Sequence, residues 1–256
     1  MKIEVRSQIT WKIVPVLMFV ALWEIVARCG IYPLAKLFPP FSAVITEVYV
    51  LFKNGLMGES LLSTLGRLLI GLCLGSISGI AVGTIMGWKE TFSRSLGPVI
   101  SILYPIPPLG WLPLLMIWVG INETLPIALI TIGCFFPVCY STAAGIRSVD
   151  REMIKAAHIL GASDMRILFE VVFPIAAPHV FAGLKLSSGM AWRTVIAAEM
   201  VAIPTGIGAL LMKAESLVRV DIIMSCLAVL SVMCLLFENV FAFMERRLVG
   251  KWSDRV

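Results

Sequence analysis

Long apolar runs separated by short polar segments dominate this chain, falling at about 12–28, 62–87, 95–119, 124–146, 178–203 and 222–244. Each is long enough to cross roughly 30 Å of hydrocarbon as a helix, which takes about 20 residues. The pattern predicts an all-α polytopic membrane protein of six transmembrane helices, organised as a single transmembrane domain over residues 1–256. Two polar intervals carry helical periodicity but cannot span. In the first, "FPPFSAVITEVYVLFKNG", Val44, Val48 and Leu51 recur behind Pro39 and Pro40, which predicts a short helix on the outer membrane surface with Ser42 as its cap. In the second, "RSVDREMIKAAHILGASDMRILFEVVFPIAAP", Met153, Ala157 and Leu160 predict one helix that Gly161 ends. Ser163 then caps a second helix that carries Ile167, Leu168 and Val171 up to Pro174. A helix-turn-helix of this kind is either a docking surface or a surface linker without a partner.

Composition agrees with a chain that is nearly all membrane. Hydrophobic residues make up 59% and charged residues 14%, against about 25% charged in soluble proteins, and the mean hydropathy is +0.95. The net charge of +5 does not point to nucleic acid, because the cations sit at loop ends rather than in one stripe. Their distribution predicts orientation instead. Lys2, Arg6, Lys12, Lys89, Arg94, Arg147, Arg151, Lys155, Arg166, Arg246, Arg247, Lys251 and Arg255 fall on one side; Arg28, Lys36, Lys53, Lys213 and Arg219 fall on the other. Both termini are therefore expected in the cytoplasm. The first apolar run contains Glu24 and no A-x-A-like site follows it, so it is read as an uncleaved span. The six cysteines form no C-x-x-C pair, and no metal spacing is visible.

Three features inside the runs go beyond plain hydrophobicity. Gly71, Gly75, Gly79, Gly83 and Gly87 recur every four residues, an interval that lets a neighbouring backbone approach closely, either within the protomer or at a subunit interface. Pro105, Pro107, Pro108 and Pro113 cannot all continue a helix, so the third span is expected to be broken at membrane depth. Broken backbone there is tolerated when it is buried or lines a water-filled cavity, which makes Tyr104, Pro107, Pro108 and Trp111 candidates for a translocation pathway, or else for a structural kink. In the fifth span Lys185, Ser188, Trp192 and Glu199 lie near one helical line, with Arg193 to the side. Charges at this depth are costly. This polar face is expected either to bind a small anion through the planar Arg193 fork or to pair with other helices.

The second polar interval resembles the signature loop of the membrane-spanning subunits of bacterial ABC importers with the MetI-like fold, which reads E-A-A, three residues, G, nine residues, I-x-L-P. Here Lys155, Ala156 and Ala157 are followed by Gly161, Ala162 and Ser163, then at the family's spacing by Val171, Phe173 and Pro174. Lys155 departs from the glutamate, and Val171 and Phe173 stand at the isoleucine and leucine positions. The resemblance implies that these residues form a coupling helix seated in a groove of an ATPase subunit. "PIPPLGWLPLLMIWVGINET", the glycine run and "AWRTVIAAEM" look like the branch that imports nitrate, aliphatic sulfonates and taurine, whose relatives carry bicarbonate or pyrimidine-like heterocycles.

That family implies two copies of the permease, two ATP-binding subunits and one extracytoplasmic solute-binding protein in a bacterial inner membrane. ATP and Mg would sit on the partner ATPase, since this chain lacks G-x-x-x-x-G-K-[ST] and is expected to bind no cofactor and no metal itself. Catalytic residues are not expected either: the two histidines, His158 and His179, flank polar segments without a catalytic partner pattern. A secondary transporter driven by an ion gradient is the rival of another class. It would usually be longer, with internal repeats and coupling carboxylates.

Overall fold

A computed structural model describes residues 2–29 and 37–253, so Lys36 and Arg255 of the cation pattern lie outside the described residues. Helices follow one another as α1 (Lys2–Arg28), α2 (Phe41–Lys53), α3 (Leu56–Trp88), α4 (Glu90–Leu103), α5 (Leu112–Trp118), α6 (Thr124–Arg147), α7 (Arg151–Ile159), α8 (Asp164–Ile167), α9 (Phe173–Ala202), α10 (Ile207–Ser216) and α11 (Val220–Ser253). A 3-10 turn at Pro108–Trp111 precedes α5, and a π turn at Leu168–Val172 joins α8 to α9. Leu56–Trp88, Thr124–Arg147, Asp164–Ala202 and Val220–Arg247 are each long and apolar enough to span, and Glu90–Leu103 with Pro108–Trp118 makes a fifth span bent by 89°. The remaining expected span, 12–28, falls in α1.

The chain divides into two compact units, Met1–Ser60 with Leu210–Ser231, and Leu61–Ala209 with Val232–Val256. In the first, α2 buries Val44 and Leu51 as their spacing predicts. Its cap differs from expectation. Pro40 takes the N-cap position, and Ser42 turns to α1, donating from N (3.1 Å) and Oγ (2.9 Å) to the Glu24 carboxylate. The ionised Glu24 carboxylate is the stronger acceptor and takes both the first-turn amide and the hydroxyl of Ser42, so it does the capping expected of the serine.

In the second unit α6 is the central element. The glycine stripe of α3 lies along it in parallel: a Cβ on Gly71 would fall 2.6 Å from Ile130 Cβ, one on Gly79 2.8 Å from Phe135 O, and one on Gly87 2.7 Å from Ile146 Cβ. The stripe therefore packs within the chain. Helix α9 runs antiparallel on another side of α6, with the Ser187 hydroxyl donating to Cys134 O (3.2 Å) and Gly183 closed against Ser141.

The bent span also follows α6 from end to end. Ser93 accepts from Arg147 (2.6 Å), Ser101 shares a hydrogen bond with Tyr140 (2.5 Å), Pro108 fills the notch at Gly133, and Leu112 and Leu115 pack with Leu125 and Leu129. A re-entrant loop would double back along the same half of α6. This progression identifies one crossing with a break, as the proline run predicts.

Candidate functional site

The 150–174 loop is an anchored platform with a projecting tip. Asp150 caps α7 through its carboxylate, which accepts from Glu152 N (2.9 Å). Ile154, Ala157, Ala162 and Val171 pack down on a core of Ile146, Val149, Ile167, Leu168, Val172 and Ala176. Of the periodic positions that predict this helix only Ala157 packs inward; Met153 is 43% exposed and Leu160 88%, beside Ile159 at 87%. The reason is the helix end: Gly161 takes φ +83°, the Gly161 and Ala162 amides turn back to His158 and Ala157 carbonyls, and the chain leaves the helix with Ile159 and Leu160 outermost. Lys155, Ala156, Gly161 and Ser163 are exposed around this tip, while Phe173 and Pro174 are half-buried at the start of α9. Ser163 occupies the N-cap of α8, although its side chain makes no capping bond.

The second expected helix does not stop before Pro174. Residues 164–202 run on as a single stretch. Proline removes one amide from the ladder, and the π turn at Leu168–Val172 absorbs the mismatch just before it. The platform is thereby built into the same rod that carries the polar face of the fifth span.

That polar face splits in two. Lys185, Ser188, Trp192 and Arg193 line a cavity of about 540 Å³ together with Cys234, Phe237, Glu238 and Glu245 of α11. Lys185 Nζ lies 3.8 Å from Glu238, and the Trp192 ring stands edge-on to Phe237 at 5.3 Å. Arg193 is exposed and has no ion pair among the described residues. Glu199 does not share this cavity. Tyr104, Pro107, Pro108 and Trp111 do not line it either; Tyr104 stacks near Phe136 and Tyr140, and Pro108 fits Gly133.

Glu199 turns instead into a closed ionic knot with Arg67 of α3, a pairing that single-helix geometry does not reveal. Arg67 Nη1 donates to Glu199 (2.6 Å) and to Thr205 O (2.9 Å), while Nε and Nη2 grip Glu123 at 2.5 and 2.8 Å. Thr64 Oγ1 (2.9 Å) and Gly208 N (3.0 Å) complete the Glu199 shell. Gly206, at φ +102°, lets the 203–206 turn close over the carboxylate, where any side chain would collide with it. In the exposed loop before α6, the hydrogen bonds from Arg67 hold the Glu123 carboxyl below the usual carboxylate range. Stability from this pair is present at neutral pH and lost as pH falls through that lowered folded value. Glu123→Gln is accordingly expected to flatten the acid limb of the thermal-unfolding profile.

Comparison with known proteins agrees with this architecture. Residues 71–250 match the family described as binding-protein-dependent transport system inner membrane component. The taurine transport system permease protein TauC of Escherichia coli (strain K12) is 33% identical over 255 residues, covering 97% of this chain and 92% of TauC. A putative aliphatic sulfonates transport permease protein, SsuC of Bacillus subtilis (strain 168), is 28% identical over 92% of this chain and 84% of its own. An inward-facing crystal structure of the MetNI methionine ABC transporter shares the fold with a TM-score of 0.64 at 17% identity, covering 77% of this chain and 96% of that one. With over half its length matched by the family and spans long enough to cross the bilayer several times, the chain belongs to the binding-protein-dependent inner membrane components and is the non-catalytic, multi-pass permease subunit of an ATP-binding-cassette importer, whose ATPase is a separate subunit.

Proposed function

We propose that two copies of this chain, each bearing one ATPase subunit and served together by an extracytoplasmic solute-binding protein, import a small solute that carries an oxyanion group, such as taurine, an aliphatic sulfonate or nitrate, across a bacterial inner membrane. Both termini and the 150–174 loop face the cytoplasm in this arrangement. ATP and Mg belong to the ATPase subunits. The observation that carries the coupling role is the apolar tip: Ile159 and Leu160 project from a platform whose underside is packed, so the exposed apolar area is available to a partner. Around it Lys155, Ala156, Ala157, Gly161, Ala162 and Ser163 make the seat, and Val171, Phe173 and Pro174 join it to α9. Movement of the platform passes along the continuous 164–202 stretch to Lys185, Ser188, Trp192 and Arg193.

An exposed arginine in the middle of a span is unfavourable against lipid by about 2.5–3.5 kcal/mol on insertion scales. The cavity between α9 and α11 is therefore assigned to the water-filled pathway, where the guanidinium recognises an oxyanion. Tyr104, Pro107, Pro108 and Trp111 keep the neighbouring break in place. Glu199 we assign to structural pairing rather than to the pathway.

Coupling is tested by Ala157→Phe with Gly161→Val in the full complex reconstituted in vesicles. A side chain at Gly161 strains the positive φ, and the larger residue at 157 lifts the platform. Solute uptake is expected to fall about tenfold or more, within the usual range of allosteric coupling. Unchanged uptake removes the coupling assignment.

A further inference from the structure

We propose that the membrane edge beside α7 is a seat for one anionic phospholipid, whose phosphate bridges Arg147 and Arg151 and whose acyl chain lies in the groove between α4 and α6. It rests on the cytoplasmic placement of the 150–174 loop given above. A cavity of about 540 Å³ opens where α3 and α6 end, α4 begins and α7 passes, and Arg147, Arg151, His158, Ser93 and Trp88 line it. Arg147 spends Nη2 on Met86 O (3.2 Å) and Ser93 Oγ (2.6 Å), which fixes the guanidinium while Nε and Nη1 make no hydrogen bond among the described residues. Arg151 has no ion pair among them. The carboxylate at the rim, Glu90, is engaged with Arg94 at 2.7 Å, so the cavity keeps an excess of positive charge.

Charge alone would suit any small anion. The shape selects an amphiphile: a second cavity, of about 170 Å³, shares Met86, Ser93 and Arg147 with the first and continues into the membrane along Gly97, Ile100, Cys139, Tyr140 and Ala143. A polar chamber opening through an arginine into a mainly apolar slot matches a phosphate ester with a hydrocarbon tail. Basic pockets between spans at the cytoplasmic side attract anionic headgroups. Because Arg147 belongs to α6 and Arg151 to α7, the headgroup would pin the coupling platform to the bundle.

The experiment uses the assembled permease–ATPase complex in nanodiscs of phosphatidylcholine with and without phosphatidylglycerol, followed by native mass spectrometry of bound lipid. Wild type is expected to retain one phosphatidylglycerol per permease chain. Arg151→Gln should reduce its affinity about fivefold, the equivalent of about 1 kcal/mol for one cation. Gly97→Leu fills the slot where a Cβ meets nothing within 4 Å. It is expected to lose the lipid without loss of thermal stability, since leucine is the better helix former.

Equal lipid retention in wild type and Gly97→Leu overturns the proposal. Displacement by millimolar inorganic phosphate also does, because it reveals a free-anion site. So does lipid bound only by permease stripped of its ATPase, which gives the cavity to that partner. Labelling of Leu160→Cys by a membrane-impermeant thiol reagent, with the exposed Cys29 and Cys73 replaced by serine and intact cells compared with inside-out vesicles stripped of the ATPase, reports loop sidedness separately, so failure of the placement and failure of lipid binding are told apart.

Discussion

Arg67→Met is expected to destabilise the folded chain by about 3–5 kcal/mol, the usual cost of removing one partner from a buried ion pair. Arg67 is 4% exposed and Glu199 1%. Without the guanidinium, the carboxylate keeps Thr64 and Gly208 as donors but loses its counter-ion, and Glu123 and Thr205 lose the group that draws the 120–123 and 203–206 turns onto α3. Arg67→Lys is expected to retain part of this stability, because an ammonium keeps the charge yet cannot grip Glu123 with two nitrogens while reaching Glu199. Pairing Arg67→Met with Glu199→Leu should recover part of the loss, since the stranded buried charge is then gone. Thermal unfolding of the purified variants measures the series. Arg67→Met unfolding within about 1 kcal/mol of wild type would show that the Arg67–Glu199 pair does not hold the fold.

The other large effect lies on the α3–α6 seam. Gly75→Val and Gly83→Leu are each expected to cost about 3 kcal/mol or more, at the upper end of overpacking penalties, and to abolish accumulation of folded protein. A Cβ at Gly75 would stand 2.6 Å from Thr131 O, and one at Gly83 2.5 Å from Cys139 O. Both obstacles are backbone, so no rotamer change relieves them and α3 must separate from α6. Gly66 on the same helix is the control. A Cβ there meets nothing within 4 Å, and Gly66→Ala is expected to be neutral or to stabilise the chain by up to about 1 kcal/mol through helix propensity. Monodispersity and melting temperature in detergent distinguish the positions; equal behaviour of Gly66→Ala, Gly75→Val and Gly83→Leu would mean the seam is not tightly packed.

Several chemical signals survived the passage from chain to fold because they are local. A run of apolar residues long enough for the bilayer has no soluble alternative, four prolines within nine residues admit no regular helix, and glycine at the end of α7 accepts a φ that other residues resist. These constraints act within a few residues, and periodicity reads them directly. The E-A-A-like spacing likewise sits on one short loop, which is why its helices were legible even though the exposure of Ile159 and Leu160 was not.

Side-chain partnership is another matter, because it joins residues far apart in sequence. Glu199 aligns with Lys185, Ser188 and Trp192 by helical angle, yet α3 brings Arg67 to it across 132 positions and withdraws it from their cavity. The glycine interval announced a close helix approach without saying to what, and only α6 supplied the answer. Ser42 exchanged a helix cap for Glu24 for the same reason. The sequence by itself thus determined the helical, membrane-spanning character of the chain, the break in one span and the platform between two others, since backbone sterics and the water-to-lipid transfer of each segment decide those. Which charges are neutralised within the fold and which stay open to a ligand was decided by tertiary packing alone, because a buried charge is stable only where another element delivers its counter-ion.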